Sequence, residues 1–187
     1  CKNVKKPFMT LPSISELVQG KVSFKQFREV SLSDLLGRKE IKLDETSIIK
    51  FLSGKRVLIT GAGGSIGSEL VRQCIRFDPS VLIMIDISEL NLFEIEREIS
   101  KKDNNTLLKP VLADIRDYFV IEQVFKEFEP QIVFHAAAYK HVPMQEYFPW
   151  EAIKTNVFGT SNLSDIAVKY DVDKFVLVST DKAVKPV

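Results

Sequence analysis

The sequence is poor in cysteine, in net charge and in long apolar runs, and each shortage excludes a class of protein. Cys1 and Cys74 are its two cysteines, too few for a disulfide framework, so we expect a reducing, cytoplasmic setting. Lysine and arginine number 26 against 25 acidic residues, and the net charge of +1 argues against a nucleic-acid partner. The longest apolar runs reach about five residues, whereas a membrane-spanning helix needs roughly 20. We therefore expect no membrane contact along these 187 residues.

Potential metal ligands are scarce as well. His135 and His141 are the two histidines, and without a third ligand beside them they make a poor metal site. Cys74 falls on the apolar stripe of a predicted helix, which favours a buried, unreactive thiol. We therefore expect no bound metal.

From residue 54 onward, short apolar runs alternate with amphipathic helical patterns. The runs predict strands over 56–60, 81–86, 109–113, 132–135 and 174–179. The patterns between them predict helices near 65–77, 89–101, 118–128 and 150–170. Continuous apolar strands separated by helices indicate an α/β protein with a parallel sheet covered on both faces. Right-handed crossovers then give the doubly wound Rossmann order 3-2-1-4-5, truncated after the fifth strand.

Residues 1–53 have a different pattern, with short helical segments near 13–18, 33–36 and 45–52 and an extended piece near 24–30. Their apolar residues are too few for an independent core. We therefore predict a mainly helical N-terminal arm or linker that packs on a Rossmann domain of residues 54–187.

The first predicted strand runs into a glycine-rich turn that opens an amphipathic helix. Gly61 permits the tight turn, Gly64 lets a diphosphate approach the backbone, and Gly67 lets the helix pack against the strand. Free N–H groups at the helix N-terminus then face the anion. The residues predicted to hold a dinucleotide here are Gly61, Gly63, Gly64, Ser65, Ile66 and Gly67. The alternative is an ordinary glycine turn between a strand and a helix.

Asp86 ends the second predicted strand, near the offset of roughly 20 residues at which a carboxylate accepts the ribose hydroxyls of a dinucleotide. A carboxylate favours NAD over NADP because it would repel a 2′-phosphate. Residues 87–90 contain no lysine or arginine that could neutralise such a phosphate. The alternative is that Asp86 caps the following helix.

Four separated motifs occur in an order typical of one family. They are the sequences Leu-Leu-Gly-Arg at 35–38, Thr-Gly-Ala-Gly-Gly-Ser-Ile-Gly at 60–67, His-Ala-Ala-Ala-Tyr-Lys-His-Val-Pro at 135–143 and Ser-Thr-Asp-Lys-Ala-Val at 179–184. Together they resemble the extended short-chain dehydrogenase/reductases of bacterial polysaccharide biosynthesis, the CapD-like family. Within it, the chain looks most like the membrane-anchored UDP-N-acetylglucosamine 4,6-dehydratases, from about residue 11 to its end.

The resemblance implies a reaction that converts a UDP-sugar to a 4-keto-6-deoxy sugar, with NAD as the regenerated cofactor. By resemblance, Thr180 hydrogen-bonds the C4 hydroxyl, Asp181 is the acid at C6 and Lys182 is the base at C5. A lysine base must be neutral, so its pKa has to fall from about 10.4 towards roughly 7–8. The alternative is a solvated Asp-Lys turn.

The resemblance also assigns cofactor contacts beyond the glycine turn. Asp114 and Ile115 would meet the adenine, while Ala136, Ala137 and Ala138 would let the backbone lie against the ribose and nicotinamide. As alternatives, Asp114 begins an ordinary turn and the alanines only permit close packing of strand and helix.

Further along, Thr155 would touch the cofactor, and Asn156 would support the active-site backbone. Lys140 and His141 would meet the substrate or its phosphates. For all four residues the alternative is a solvated side chain without a binding role.

The family's Tyr-x-x-x-Lys helix, in which methionine often replaces tyrosine, would follow Val187. We therefore expect an inactive fragment of an enzyme anchored at the cytoplasmic face of the inner membrane, with transmembrane helices upstream. The run 175–178 would then be an open sheet edge, which favours a homo-oligomer or cover from the N-terminal arm. Alternative functions are a nucleotide-sugar 4-epimerase and a non-catalytic NAD-binding module.

Overall fold

The computed structural model describes residues 44–101 and 105–180, together with the backbone of two short strands nearer the N-terminus. The chain divides into two compact units, Cys1–Asp44 and Glu45–Val187. In the first unit, Met9–Thr10 pairs antiparallel with Arg28–Glu29, and the latter strand falls in the predicted extended piece. The predicted helical segments at 13–18 and 33–36 lie outside the described residues. The arm of residues 1–53 stays a prediction.

The second unit contains a sheet of five parallel strands. Their bounds are Arg56–Thr60 (β1), Val81–Asp86 (β2), Leu107–Leu112 (β3), Ile132–His135 (β4) and Lys174–Leu177 (β5). They lie in the order β3-β2-β1-β4-β5. The predicted Rossmann fold and its strand order are confirmed.

Helices connect and flank these strands. Their bounds are Glu45–Leu52 (α1), Ser65–Cys74 (α2), Glu89–Ser100 (α3), Tyr118–Phe128 (α4), Val142–Tyr147 (α5), Pro149–Ala152 (α6) and Thr160–Lys169 (α7). A 3-10 turn, Ile75–Phe77, follows α2, and a π-helix, Ile153–Gly159, joins α6 to α7. The pattern that predicts one helix over 150–170 therefore forms three helical segments.

The central strands are buried on both faces because their apolar side chains alternate between two cores. Val57 on β1 packs towards α1, α2 and α3, whereas its neighbour Leu58 packs towards α4 and α7. Both side chains are fully buried. Full burial of such a side chain contributes roughly 1.5–3 kcal/mol, so these two cores fix the sheet in the middle of the fold.

The outer strands differ in how they meet their surroundings. Pro110 lies within β3 opposite Met84 of β2, inside the strand predicted over 109–113. An edge strand tolerates proline where the missing N–H would have faced outward. At the other edge, Val176 and Leu177 of β5 are exposed. Within the described part of the chain, no strand pairs with the outer side of β5.

None of the helices that the structure describes has both the length and the apolar character required to cross a membrane.

Candidate functional site

A cleft of about 300 Å³ opens at the carboxyl ends of β1, β2 and β4. Here the connection that follows β1 and the connection that follows β4 run towards opposite edges of the sheet. Doubly wound sheets bind ligands at such a point. The cleft is lined by Gly61, Gly64, Ile85, Asp86, Ile87, Ser88, Asn91, Ala113, Asp114, Ile115, Ala136, Ala137, Ala138, Tyr139 and Thr155. Nine of the residues that the sequence assigns to the cofactor are in that set.

Side chains would not fit at Gly61 in the turn after β1 or at Gly67 in the first turn of α2. Gly61 has a φ of +65°, and a Cβ there would lie 2.8 Å from the backbone of Ala137. A Cβ on Gly67 would lie 1.9 Å from the carbonyl oxygen of Gly61. The turn therefore packs directly on the backbone after β4, and the start of α2, where Gly67 is buried, packs on the turn.

The N-terminus of α2 leaves its donors available. Gly64 is the N-cap residue and offers no side-chain acceptor to the first turn. Ser65 and Ile66 are exposed, and neither lines the cleft. The first N–H groups of a helix carry partial positive charge, so this end of α2 can hold an anion such as a diphosphate.

Asp86 joins the end of β2 to the glycine turn. Its Oδ2 accepts a 2.8 Å hydrogen bond from the backbone N–H of Gly63, and its Oδ1 accepts one of 2.8 Å from Ser88. Ser88, not Asp86, is the N-cap of α3, where its hydroxyl accepts from the backbone N–H of Asn91. Each carboxylate oxygen keeps a further lone pair, so Asp86 can also accept from ribose hydroxyls in the cleft.

Asp114 follows β3 and is held by Arg116. The Arg116 Nε donates to Asp114 Oδ2 at 2.6 Å, and Arg116 Nη1 donates to Glu151 of α6 at 2.7 Å. Burial raises the pKa of Asp114, but the hydrogen bonds and charge of Arg116 outweigh it and leave the pKa below its ordinary value. Asp114 therefore stays ionised. Its carbonyl also accepts from Asp117, so the predicted turn is present beside the cleft.

Two neighbouring residues of the π-helix support the cleft in different ways. Thr155 lines it, and Asn156 pairs with the backbone of Tyr139 in both directions, accepting at 2.9 Å and donating at 2.8 Å. Gly159, the last residue of this helix, packs closely on Ile115, because a Cβ there would lie 2.8 Å from Ile115 Cδ1. π-helical turns are rare and are often found at functional sites.

Lys140 and His141 are exposed and lie outside the set of residues that line the cleft. Thr180 is exposed as well. Asp181 and Lys182 lie outside the described residues, so the structure does not place them. The structure therefore brings the predicted cofactor residues together and leaves the predicted catalytic group as an expectation.

Sequence reasoning missed four residues that shape the wall beyond Asp86 and the alanines, namely Ile87, Ser88, Asn91 and Tyr139. Asn91 also explains why position 63 is a glycine, because a Cβ on Gly63 would lie 2.5 Å from Asn91 Cβ. The helical pattern of residues 89–101 contained a signal for Asn91, since the first turn of this helix follows Asp86 directly.

Within the described residues, no group of three or more histidine, cysteine, aspartate or glutamate side chains is placed to hold a metal ion.

A doubly wound parallel sheet, a glycine turn against the strand ends and an acidic residue at the end of β2 define a dinucleotide-binding Rossmann protein. Residues 57–187 match the family described as polysaccharide biosynthesis protein. The chain belongs to that family, as the four motifs predict.

Curated relatives extend over nearly the whole chain. The capsular polysaccharide biosynthesis protein CapD of Staphylococcus aureus is 44% identical over 177 residues, which are 94% of this chain and 30% of CapD. The probable polysaccharide biosynthesis protein EpsC of Bacillus subtilis is 40% identical over the same shares of both chains. The chain thus spans about 30% of the length of these relatives.

Solved structures share the fold. Pen from Bacillus thuringiensis has a TM-score of 0.66 and 35% identity, over 73% of this chain and 41% of that one. A UDP-glucose 4-epimerase from Thermotoga maritima, solved with UDP-glucose, has a TM-score of 0.57 and 31% identity over 68% and 38%.

WbmH of Bordetella bronchiseptica was solved with NAD+, and its TM-score is 0.58 with 28% identity over 71% of this chain and 42% of that one. NAD in such a structural neighbour supports the predicted cofactor.

Proposed function

We propose that this chain carries the NAD-binding part of an enzyme that modifies nucleotide sugars. The observation that carries the proposal is the hydrogen bond from Gly63 to Asp86, which sets a carboxylate beside an uncapped helix N-terminus in one cleft. These two groups complement a ribose and a diphosphate, the parts that every nicotinamide dinucleotide contains.

The described residues fit such a cofactor. Gly61 and Gly64 would face the diphosphate together with the first turn of α2, because there the backbone is uncovered. Asp86 would accept from the adenosine ribose, and the loop of Asp114 and Ile115 would meet the adenine. Ala136, Ala137, Ala138 and Thr155 would line the nicotinamide end. When bound, NAD supplies a reversible hydride acceptor.

Asp86 favours NAD over NADP. A 2′-phosphate would approach a carboxylate whose oxygens already accept from Gly63 and Ser88, so the side chain is not free to turn away. Arg116 is the cation near the next strand end, and it is already bound to Asp114 and Glu151.

For the reaction, we propose 4,6-dehydration of UDP-N-acetylglucosamine in surface-glycan biosynthesis. Thr180 would hydrogen-bond the C4 hydroxyl and orient the sugar. With the sugar at its 4-keto stage, Lys182 would accept the C5 proton, and Asp181 would donate a proton to the C6 hydroxyl, which leaves as water. Lys140 and His141 would contact the substrate. The resemblance of Ser179 to Val184 supports these roles, as does the likeness to CapD.

A 4-epimerase is the second candidate function. UDP-glucose 4-epimerases of Rickettsia species are 37–39% identical over 139 residues, or 71% of this chain. An epimerase needs redox at C4 alone, and it needs neither an acid at C6 nor a base at C5. The Asp181-Lys182 pair therefore favours the dehydratase.

The same resemblance leads us to propose a homo-oligomeric parent enzyme at the cytoplasmic face of the inner membrane. The exposed edge of β5 supports self-association, because open strand edges pair readily.

Two measurements test the proposal. Calorimetry of the chain with NAD and with NADP should show binding of NAD and weaker binding of NADP, and no heat with either would overturn the cofactor assignment. The longer protein that contains this chain should then convert UDP-N-acetylglucosamine to a product lighter by one water, seen by mass spectrometry. A product of unchanged mass would favour the epimerase.

A further inference from the structure

Three side chains form a polar chain next to the cleft, in which Thr60 and His135 are buried and Thr160 is half-buried. His135, the last residue of β4, is 1% exposed. Its Nδ1 lies 2.7 Å from Thr60 Oγ1 at the end of β1, and its Nε2 lies 2.9 Å from Thr160 Oγ1 at the start of α7. The imidazole therefore bridges a central strand and a helix that no backbone ladder connects.

The chemistry of this bridge suits a neutral ring. A neutral imidazole has one donor nitrogen and one acceptor nitrogen, and a threonine hydroxyl can serve either of them. Phe175 of β5 packs on the ring, with centroids 6.2 Å apart. Burial lowers the pKa of His135 to about 4, so the ring carries no charge near neutral pH.

Each member of the chain is adjacent in sequence to a residue that shapes the cleft. Thr60 precedes Gly61, His135 precedes Ala136, and Thr160 follows Gly159, the last residue of the π-helix that bears Thr155. The Thr60 hydroxyl also accepts from the backbone N–H of Ala137 at 3.4 Å. The polar chain thus ties together the three segments that the proposed function assigns to the cofactor's diphosphate and nicotinamide end.

Little space separates the glycine turn from the loop after β4. A Cβ on Gly61 would already approach the Ala137 Cα to 2.8 Å, so the glycine turn and the loop after β4 are in close contact. A small displacement of either segment would change the shape of the cleft at that contact. A purely apolar side chain at position 135 would fill the space but could not hold both hydroxyls.

We infer that His135 is a positioning residue of the cofactor cleft, bound between Thr60 and Thr160 so that the glycine turn, the Ala136–Ala138 loop and the Thr155 helix keep one arrangement. The inference rests on the proposed function, because it takes the cleft to be a site for NAD. His135 itself is buried and acts through these neighbours.

The test compares NAD affinity in variants of the whole chain. His135→Phe keeps a ring but leaves both hydroxyls without their partner, and we expect NAD to bind about tenfold more weakly. Thr160→Val should also weaken NAD binding. The double variant should bind NAD little more weakly than His135→Phe alone, because both substitutions break the same polar chain. Val124→Ala is the control, since it trims a buried side chain on α4 that neither lines the cleft nor belongs to the three segments.

We expect the control to lose stability and keep the wild-type dissociation constant within about twofold, since a core cavity costs stability and Val124 does not line the cleft. Wild-type affinity in both His135→Phe and Thr160→Val would overturn the inference, as would an equal loss in Val124→Ala. If His135→Phe does not fold, the NAD affinity of Thr160→Val alone tests the inference.

A measurement without ligand separates this inference from the proposed function. Amide hydrogen exchange at Ala137 should be faster in His135→Phe and Thr160→Val than in Val124→Ala at matched stability. Unchanged exchange would overturn the inference even if NAD binds. If the wild-type chain binds no NAD, the cofactor assignment fails, and faster exchange at Ala137 would still establish the polar chain as the element that holds the loop.

Discussion

The backbone N–H of Gly63 and Oδ2 of Asp86 are joined by a 2.8 Å hydrogen bond, which makes the glycine turn and the end of the second strand one unit. The other carboxylate oxygen accepts from Ser88 at the start of α3. One side chain therefore holds two backbone segments, the glycine turn and the start of α3. The lone pairs that remain on the Asp86 carboxylate are available for its proposed role, which is to accept hydrogen bonds from a ribose.

Removing that carboxylate should harm binding more than folding. In Asp86→Ala the ribose acceptor and two backbone acceptors are lost, and we expect NAD affinity to fall by at least about tenfold, with about 1–3 kcal/mol lost from the free energy of unfolding. The preference for NAD over NADP should shrink, because the charge that opposes a 2′-phosphate is gone. Titration calorimetry with both cofactors measures these changes.

Glu89→Ala is the matched control for Asp86→Ala. Glu89 is an exposed acid in the first turn of α3, so this substitution removes a nearby negative charge without touching the glycine turn. An equal loss of NAD affinity in both variants would contradict a specific role for Asp86.

Two glycine-to-alanine changes separate steric conflict from backbone strain. Gly67→Ala would place its Cβ 1.9 Å from the Gly61 carbonyl oxygen, so we expect at least about 3 kcal/mol of destabilisation and loss of the cleft. Gly54 has a φ of +70° with nothing within 4 Å of an added Cβ, so Gly54→Ala should cost only about 1–2 kcal/mol from strain. Urea unfolding measures both, and a milder effect for Gly67→Ala would show that the turn can relax.

The buried histidine makes stability depend on pH. Because burial lowers the pKa of His135 from 6.5 to about 4, the unfolded chain binds this proton more tightly than the folded protein. The stabilising effect of the neutral ring is complete above pH 6.5 and is lost as the pH falls towards 4. The loss should approach about 3 kcal/mol.

The comparison with His135→Phe isolates this effect from the titration of carboxylates. The difference in free energy of unfolding between wild type and variant should shift over that pH range. A constant difference from pH 7 to pH 4 would mean that His135 titrates normally in the folded protein.

Cys74 should be protected until the fold opens. Its side chain is 3% exposed, and burial raises its pKa to about 12, so almost no thiolate exists near neutral pH. In Cys1→Ser, which leaves Cys74 as the one thiol, alkylation by iodoacetamide should be slow in buffer and fast in urea. Rapid alkylation in buffer would show that α2 opens readily in the native state.

The strand order could be predicted because the buried strands are continuous apolar runs and parallel strands need helical crossovers. The glycine turn and Asp86 could be predicted because their spacing is local in sequence. The chain of Thr60, His135 and Thr160 could not, since its members are far apart and hydroxyls give no periodic signal. The π-helix was missed for a related reason, because residues 150–170 have an ordinary helical pattern and the contact of Gly159 with Ile115 is distant in sequence.

Pro110 affects the edge at which the sheet can accept a further strand. Its ring nitrogen offers no donor along the outer side of β3, and a polypeptide arriving there would find the ladder interrupted. The opposite margin, at Val176 and Leu177, has no such interruption and is apolar and uncovered within the described residues. Any segment that widens this sheet, whether from the same molecule or a neighbouring one, should therefore add beside β5.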